Sequence, residues 1–307
     1  AVQEIGATSV RVPWTDIEDT LQRKRLQYLR AEGIAVQAFV PFDDALDLHH
    51  LLDHYPDCAD RWEVQTTGEP MPDTTCLNLL ADCSRRTPLS LSTIVPGERI
   101  AGKQHSRTRL GFRLQELATL NELLADRALI LDSALCRIDA EDDPWTTVLR
   151  FRTLPRLSHI RRIDWLLTLP SCDDKAHARL AAEALFATAL LPDAQLYVDP
   201  ILDLDRTMDI ANGVLDRLCN PRPIFHALRC LNTLLYAHRK AWVPEDREEK
   251  GVRILALRSE EHVLELLLPE EPVRWTSASQ RIYDLAGGTV AVDTDKTLIA
   301  GPSLVYT

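Results

Sequence analysis

The stretch "RWEVQTTGEPMP", Arg61–Pro72, decides how the chain is read. Trp62 and Val64 give Arg61–Thr66 the character of a strand. Gly68 and Pro70 then break it, and a carboxylate, Glu69, stands between them. A carboxylate just past the C-terminal end of a strand occupies the place where barrel enzymes put their chemistry, and it raises the question of a partner across a cleft.

Working outward, further β-rich runs recur on both sides. They are Thr8–Trp14, Ala35–Phe42, Leu89–Pro96, Arg127–Ala134, Asp164–Ser171 and Ala194–Ile201. Several read as apolar on both faces, the mark of a parallel sheet covered on each side. Between them lie helical patterns. Ile17 and Leu21 lead to Tyr28, with an Asp16-type start and Gly33 as C-terminal cap; Leu48, Leu51, Leu52 and Tyr55 mark a second helix, and Leu110–Leu124 a third. Lys175–Leu191 is the strongest of them. Strand–helix alternation gives an open doubly wound sheet or a (β/α)8 barrel. No Gly-rich nucleotide fingerprint follows any strand, which favours the barrel.

After Arg239 the pattern becomes short antiparallel strands with Gly-Gly and Asp-Lys turns, in "VRILALRS", "EHVLELLLP", "QRIYDLAGGTVAVDT" and "KTLIAGPSLVYT". The charged, Pro-punctuated "RKAWVPEDREEKG" reads as a linker. The fold class expected is therefore α/β: a TIM-type (β/α)8 barrel over residues 1–239, and a C-terminal β-sandwich-like domain over 240–307. Seven barrel strands are counted, so the first is missing, and the opening residues read as the middle of a domain.

The chain has 307 residues and a formal net charge of -11, which repels phosphate backbones and argues against nucleic acid as a partner. No apolar run reaches the ~20 residues of a membrane span, and no secretory leader opens the sequence. Seven cysteines are scattered without C-x-x-C spacing, so neither a metal site nor a cofactor is expected from them. Cys76 and Cys83 are spaced to bridge a loop; buried free thiols are the other reading. His49, His50 and His54 share one helix, but without the Glu of a zinc-protease motif they read as a solvated face. No G-x-S-x-G elbow is present.

One resemblance is specific. "EIGATSVRVPWTDIED" resembles the second strand of TIM-barrel retaining glycoside hydrolases of the β-xylosidase and α-L-iduronidase-like type (clan A, family 39-like), with Gly6, Arg11, Trp14 and Glu18 at the recurring positions. "DRWEVQTTGEPMP" is similar to their fourth strand, and "ANGVLDRLCNPRPIFHALRCLNTLL" (Ala211–Leu235) to the loop and helix after their eighth. The resemblance implies Glu69 as general acid/base, and Arg11 with Trp14 as substrate-binding residues. It also implies a periplasmic or extracellular location.

Two departures weigh against hydrolysis. Gly68 stands where the family has an Asn that contacts the sugar's 2-hydroxyl. Leu169, after Thr168, stands where it has the nucleophilic Glu. Substitute carboxylates at strand ends are Asp132 and, better placed, Asp199. Trp62 and Trp165 lie within strands and read as core, whereas Trp14 ends a strand and reads as a cleft residue able to stack on a sugar.

The function expected is a glycoside-hydrolase-like protein without its nucleophile, acting as a carbohydrate-binding or assembly subunit. An active glycosidase using Glu69, and a scaffold with no sugar bound, remain as alternatives. An oligo- or polysaccharide is the expected ligand. The free edge at Thr8–Trp14 is expected to meet an upstream segment or another protein chain.

Overall fold

The computed structural model describes the chain except for residues 44–46, 98–107, 140, 171–172, 192, 204–211, 238–240, 277–280 and 292–296, and the side chains of 236–237. The barrel is built from β1 (Ser9–Pro13), α1 (Thr15–Glu18), α2 (Thr20–Ala31), β2 (Ala35–Pro41), α3 (Leu48–His54), β3 (Arg61–Thr67), α4 (Thr74–Cys83) and β4 (Leu89–Pro96). It continues with β5 (Thr108–Leu110), α5 (Glu116–Ala125), β6 (Leu131–Ile138), α6 (Pro144–Arg152), β7 (Ile160–Thr168), α7 (Asp174–Thr188), β8 (Leu196–Asp199) and α8 (Pro223–Ala237). β1, β2, β3, β4, β6, β7 and β8 pair in that order, each parallel to the next, and β5 folds back antiparallel on β4. This is a TIM-type barrel of seven strands, nearly closed, with helices on its outside.

Through their middles the strands alternate. Trp62, Val64, Val36, Ala38, Trp165 and Leu167 point outward into the core beneath the helices. The inward faces are largely polar, with Gln37, Glu63, Gln65, Ser90, Ser92, Ser133 and Asp164 all buried. A small apolar cluster of Leu135, Leu166 and Tyr197, with Leu110 against it, interrupts them, as does Phe39 beneath Arg11. These strands therefore have one apolar and one polar face, not the two apolar faces the runs suggested.

Aspartates start five of the helices. Asp19, Asp47, Asp73, Asp143 and Asp173 each accept a hydrogen bond from a backbone N–H in the first turn of α2, α3, α4, α6 and α7. Asp19 also explains one departure from expectation. Its cap breaks the Ile17–Tyr28 pattern into two helices, so Ile17 is buried while Leu21 and Tyr28 are each 58 % exposed. The third helix likewise begins only at Glu116, after the positive-φ Gly111 and the strand β5.

A second correction concerns β6. The strand runs from Leu131 to Ile138, four residues later than Arg127–Ala134. Ala128 adopts a left-handed conformation (φ 50), and the Leu129 N–H reaches back to the Leu124 carbonyl, closing α5 with the chain still turning. Asp132 consequently sits at the start of β6. It faces Arg61 at the start of β3 (2.6 Å), at the N-terminal end of the barrel and not on its C-terminal rim.

The C-terminal part contains β9 (Val243–Glu249), β10 (Val252–Arg258), β11 (Val263–Pro269), β12 (Val273–Trp275), β13 (Ile282–Asp284), β14 (Thr289–Ala291), β15 (Thr297–Ile299) and β16 (Ser303–Tyr306). Six of these form an antiparallel sheet in the order β14-β13-β16-β11-β10-β9, and β12 pairs with β15. Alternation again sorts the faces: Leu255, Leu257, Leu264 and Leu266 join the barrel's core, while Val252, Ile254, Leu267 and Val305 meet Trp275 and Ile299 on the other side.

The expected linker is half strand. β9 is a charged edge, held by Arg247 to Glu265 (2.6 Å) and by Asp246 to Arg253 (2.8 Å), a composition suited to an unpaired edge. The 239/240 boundary, the Asp-Lys turn and Cys172 lie outside the described residues. Cys76 and Cys83 are buried free thiols on α4, and burial raises both to about 12 and about 11 respectively. Among the described residues no helix is long and apolar enough to cross a membrane.

Candidate functional site

The C-terminal ends of the barrel strands form the mouth. Glu69 follows β3, where Gly68 takes a left-handed turn (φ 90) that most side chains resist. The Gly68 N–H donates to the Ile94 carbonyl and the Thr93 hydroxyl to the Glu69 carbonyl (2.9 and 2.8 Å), so the turn is tied to β4 while the Glu69 side chain is exposed. A carboxylate there is at the mouth, as the sequence suggested, but in open solvent.

Asp199 ends β8 on the face shared with Tyr197, which points into the barrel. Its neighbour in register is Thr168, the exposed last residue of β7. Surrounding walls raise the Asp199 pKa above the ordinary carboxylate value, and the cation of Arg11 opposes that shift. Counting strands, β3 and β8 lie on opposite sides of the ring.

Leu169 is not at the mouth. It is 2 % exposed and packs in the outer core with Leu167 and Trp165, with which it shares parity. Its N–H donates to the Asp199 carbonyl (2.7 Å), and Asn212 Nδ2 donates to its own carbonyl (3.0 Å). The residue that β7 offers to the mouth is therefore Thr168.

Arg11 turns inward. Its Nε and Nη2 bond both oxygens of the fully buried Glu63 (2.7 and 2.8 Å), and its guanidinium lies 4.2 Å from the Phe39 ring centroid. Burial alone pushes the Glu63 pKa up, but Arg11, Ser92 and Gln37 outweigh it and hold the carboxyl below its usual range. Trp14 is half-buried against the core, at the junction of β1 and α1. Of the expected site residues, Glu69 and Asp199 stand at the C-terminal ends of strands on opposite sides of the ring, and Arg11 is held inward by Glu63.

Beneath the mouth runs a network that sequence reading missed. Arg61 bonds Gln37 (2.8 Å), Asp132 (2.6 Å) and Asp164 (3.1 Å), and Glu63 receives Gln37 and Gln65. Burial lifts Asp164 to about 6, with Arg61 pulling the other way. The signal was present as every-other-residue polarity, Arg61-x-Glu63-x-Gln65 and Ser90-x-Ser92. On a second part of the rim, Arg137 donates to Asp139 (3.0 Å) and to the Gly111 carbonyl, with Arg109 and Arg113 also near Asp139.

The Asn-Pro-Arg-Pro segment is structural. Arg222 joins Asp174 at the start of α7 to Asp203 after β8 (2.8 and 2.6 Å), and Asp203 accepts the Gly213 N–H. His50 and His54 lie side by side on the exposed face of α3, with ring centroids 3.8 Å apart and planes tilted by 37°.

This architecture is a TIM-type barrel with a sandwich-like C-terminal part. The chain is similar to a family 39 glycoside hydrolase from the gut symbiont Bacteroides cellulosilyticus WH2, with a TM-score of 0.66 and 12% identity over 99% of this chain and 76% of that one. It is also similar to a glucosidase from Croceicoccus marinus, with a TM-score of 0.53 and 12% identity over 98% of this chain and 76% of that one. At such identities the likeness is one of fold. No family profile matches the chain, and no curated protein matches it.

Proposed function

We propose that this protein is a catalytically degenerate glycosidase-like barrel that binds carbohydrate or serves as an assembly subunit. One observation carries the reading: β7 ends in Thr168 at the mouth and Leu169 in the core, so it supplies no carboxylate. Hydrolysis with retention needs two carboxyl groups roughly 5–5.5 Å apart. Gly68, in place of an asparagine, also offers no side chain to a sugar hydroxyl. Glu69 acting alone as acid or base would contribute about 10²–10⁴-fold, far below the roughly 10⁶-fold or more that enzymes supply.

The raised pKa of Asp199 supports a second reading, an active glycosidase in which Asp199 partners Glu69. Aryl xylosides, glucosides, galactosides and iduronides separate the two. The degenerate reading expects no turnover above background, together with retarded migration in gels containing the polysaccharide it binds. Turnover that disappears in both Glu69→Gln and Asp199→Asn would establish the second reading instead. A protein that neither turns over glycosides nor is retarded by any polysaccharide would be a scaffold.

A further inference from the structure

α3 carries a pair of side chains that neither the mouth nor the core uses. Its inner face, Leu48, Leu51 and Leu52, is buried in the core, and the Asp47 carboxylate caps its first turn, so the helix is a fixed platform. His50 and His54 stand on the opposite, exposed face. Four residues apart on a helix, they are neighbours one turn from each other. Their ring centroids, 3.8 Å apart, show that both side chains already cover the same patch of surface. His54 is also held in place. Its Nδ1 lies 3.0 Å from the His50 carbonyl oxygen. A carbonyl only accepts, so in the neutral ring that nitrogen carries the proton and Nε2 keeps its lone pair. An imidazole fixed through one nitrogen to a backbone carbonyl, with the other nitrogen open, is the arrangement in which metal-ligating histidines are found. His49 faces elsewhere, with its Nδ1 3.2 Å from Arg86 and its ring beside the Cys83 sulfur (3.8 Å).

Two imidazoles on one rigid turn bind an ion as a chelate, because coordination by the first presents the second at high effective concentration. We infer that His50 and His54 form a surface site for one divalent transition-metal ion, with two protein nitrogens as ligands and water in the remaining positions. The ligand type selects the metal. Imidazole suits copper, nickel and zinc, whereas magnesium and calcium take oxygen ligands, and affinity among the divalent ions peaks at copper. Charge favours a cation here as well. Asp47, Asp53 and Asp57 lie in or beside the helix, in a chain of net charge -11. Two cations near α3 are engaged elsewhere: Arg86 pairs with Asp53, and Arg23 lies over the Tyr55 ring, 5.5 Å from its centroid. Among the described residues no group of three or more His, Cys, Asp or Glu is placed to hold a metal. The ion is therefore held by two protein ligands and stays open to exchange, unlike a structural zinc, whose four ligands all come from protein. The site stands on the outer wall of the barrel and does not depend on whether the mouth binds sugar.

The test titrates copper(II) chloride into the 307-residue protein at about pH 7.5, where imidazole is neutral. Calorimetry reads affinity and stoichiometry, and proton magnetic resonance reads which histidine rings the paramagnetic ion broadens. The expected result is one copper ion per chain, bound more tightly than nickel or zinc, with no heat from magnesium chloride. The His50 and His54 ring signals should broaden first. His50→Gln and His54→Gln should each weaken copper binding at least about ten-fold, since either change turns a chelate into a single ligand. Both positions are exposed, so the circular dichroism of each variant should match that of the unaltered protein. His49→Gln, one residue along but on another face, should leave the affinity unchanged. Absence of copper binding would overturn the proposal, as would wild-type affinity in either His50→Gln or His54→Gln. Broadening centred on His159 or His262 would overturn it too, because the ion would then sit elsewhere.

Discussion

At the scale of single residues, the interior of this barrel is held by charges in place of the bulky aliphatic layers that usually fill such barrels. Glu63 and Arg11 are the clearest case, a bidentate pair with the carboxylate wholly buried. Removing one partner leaves the other charge uncompensated, at a cost of about 3–5 kcal/mol, whereas replacing both with apolar residues is often close to neutral. Chemical denaturation should therefore find Glu63→Leu far less stable than wild type, with the double variant Arg11→Met, Glu63→Leu recovering most of the loss. A double variant no better than the single one would refute this account of the pair. Asp164 has the opposite sign. Its pKa is raised in the folded state to about 6, from about 3.9 when unfolded, so it favours the fold below about pH 4 and loses that contribution as pH rises to about 6. The full swing is about 3 kcal/mol at most. Asp164→Asn should remove it, so that the variant gains stability relative to wild type between pH 4 and 6, read from denaturation midpoints across that range.

At the scale of elements, parity governs what each residue does. β7 reads Asp164, Leu166 and Thr168 inward and Trp165, Leu167 and Leu169 outward. A glutamate at Leu169 would place an unpaired carboxylate under the helices, a change of the kind that costs several kcal/mol, and would bring nothing to the mouth. Thr168→Glu instead puts the carboxylate at an exposed inward position beside Asp199. The expectation is that Leu169→Glu lowers the melting temperature sharply and Thr168→Glu leaves it within a few degrees; a well-folded Leu169→Glu would mean that the strand is turned over. The same parity shows what the sequence made legible. Trp62 and Val64, or Val36 and Ala38, announce strands because β-forming apolar residues crowd into short runs, and seven parallel strands followed from those runs, but the polar inner face went unread. The ends were harder. β6 was placed early because "RALIL" carries β-forming residues, while the left-handed Ala128 that keeps them in the turn leaves no compositional trace. Asp132 went to the wrong end of the barrel with it. β9 looked like a linker because an edge strand is charged for the same reason a linker is, contact with water. Arg11 as a sugar contact came from a resemblance at one strand, and nothing in one strand could show that Glu63, from another, holds its guanidinium.

For the whole molecule, the question is whether barrel and C-terminal sheet are two bodies or one. The sequence divides them near residue 239, but the apolar surface does not. Leu255, Leu257, Leu264, Leu266 and Leu304 belong to the same continuous core as Trp145, Ala182 and Phe186 of the barrel's helices. Arg253 fastens the contact, bonding Asp143 at the start of α6 and approaching Glu183 of α7 (3.7 Å) while also holding Asp246 of β9. Separate domains joined through a polar interface would unfold separately; elements that bury their leucines against each other lose that burial together. Tryptophans report on both sides, with Trp62, Trp145 and Trp165 in the barrel and Trp275 beyond the sheet. The prediction is one calorimetric transition, coincident with that seen by tryptophan fluorescence and far-ultraviolet circular dichroism. Arg253→Ala should lower it by several degrees, since charge-assisted hydrogen bonds are each worth roughly 1.5–3 kcal/mol, yet leave it single. Two resolved transitions in the unaltered protein would show that the shared core does not couple the two parts. A chain ending near residue 239 would then be expected to fold alone, whereas a single transition predicts that such a truncation exposes the α6–α7 surface and aggregates.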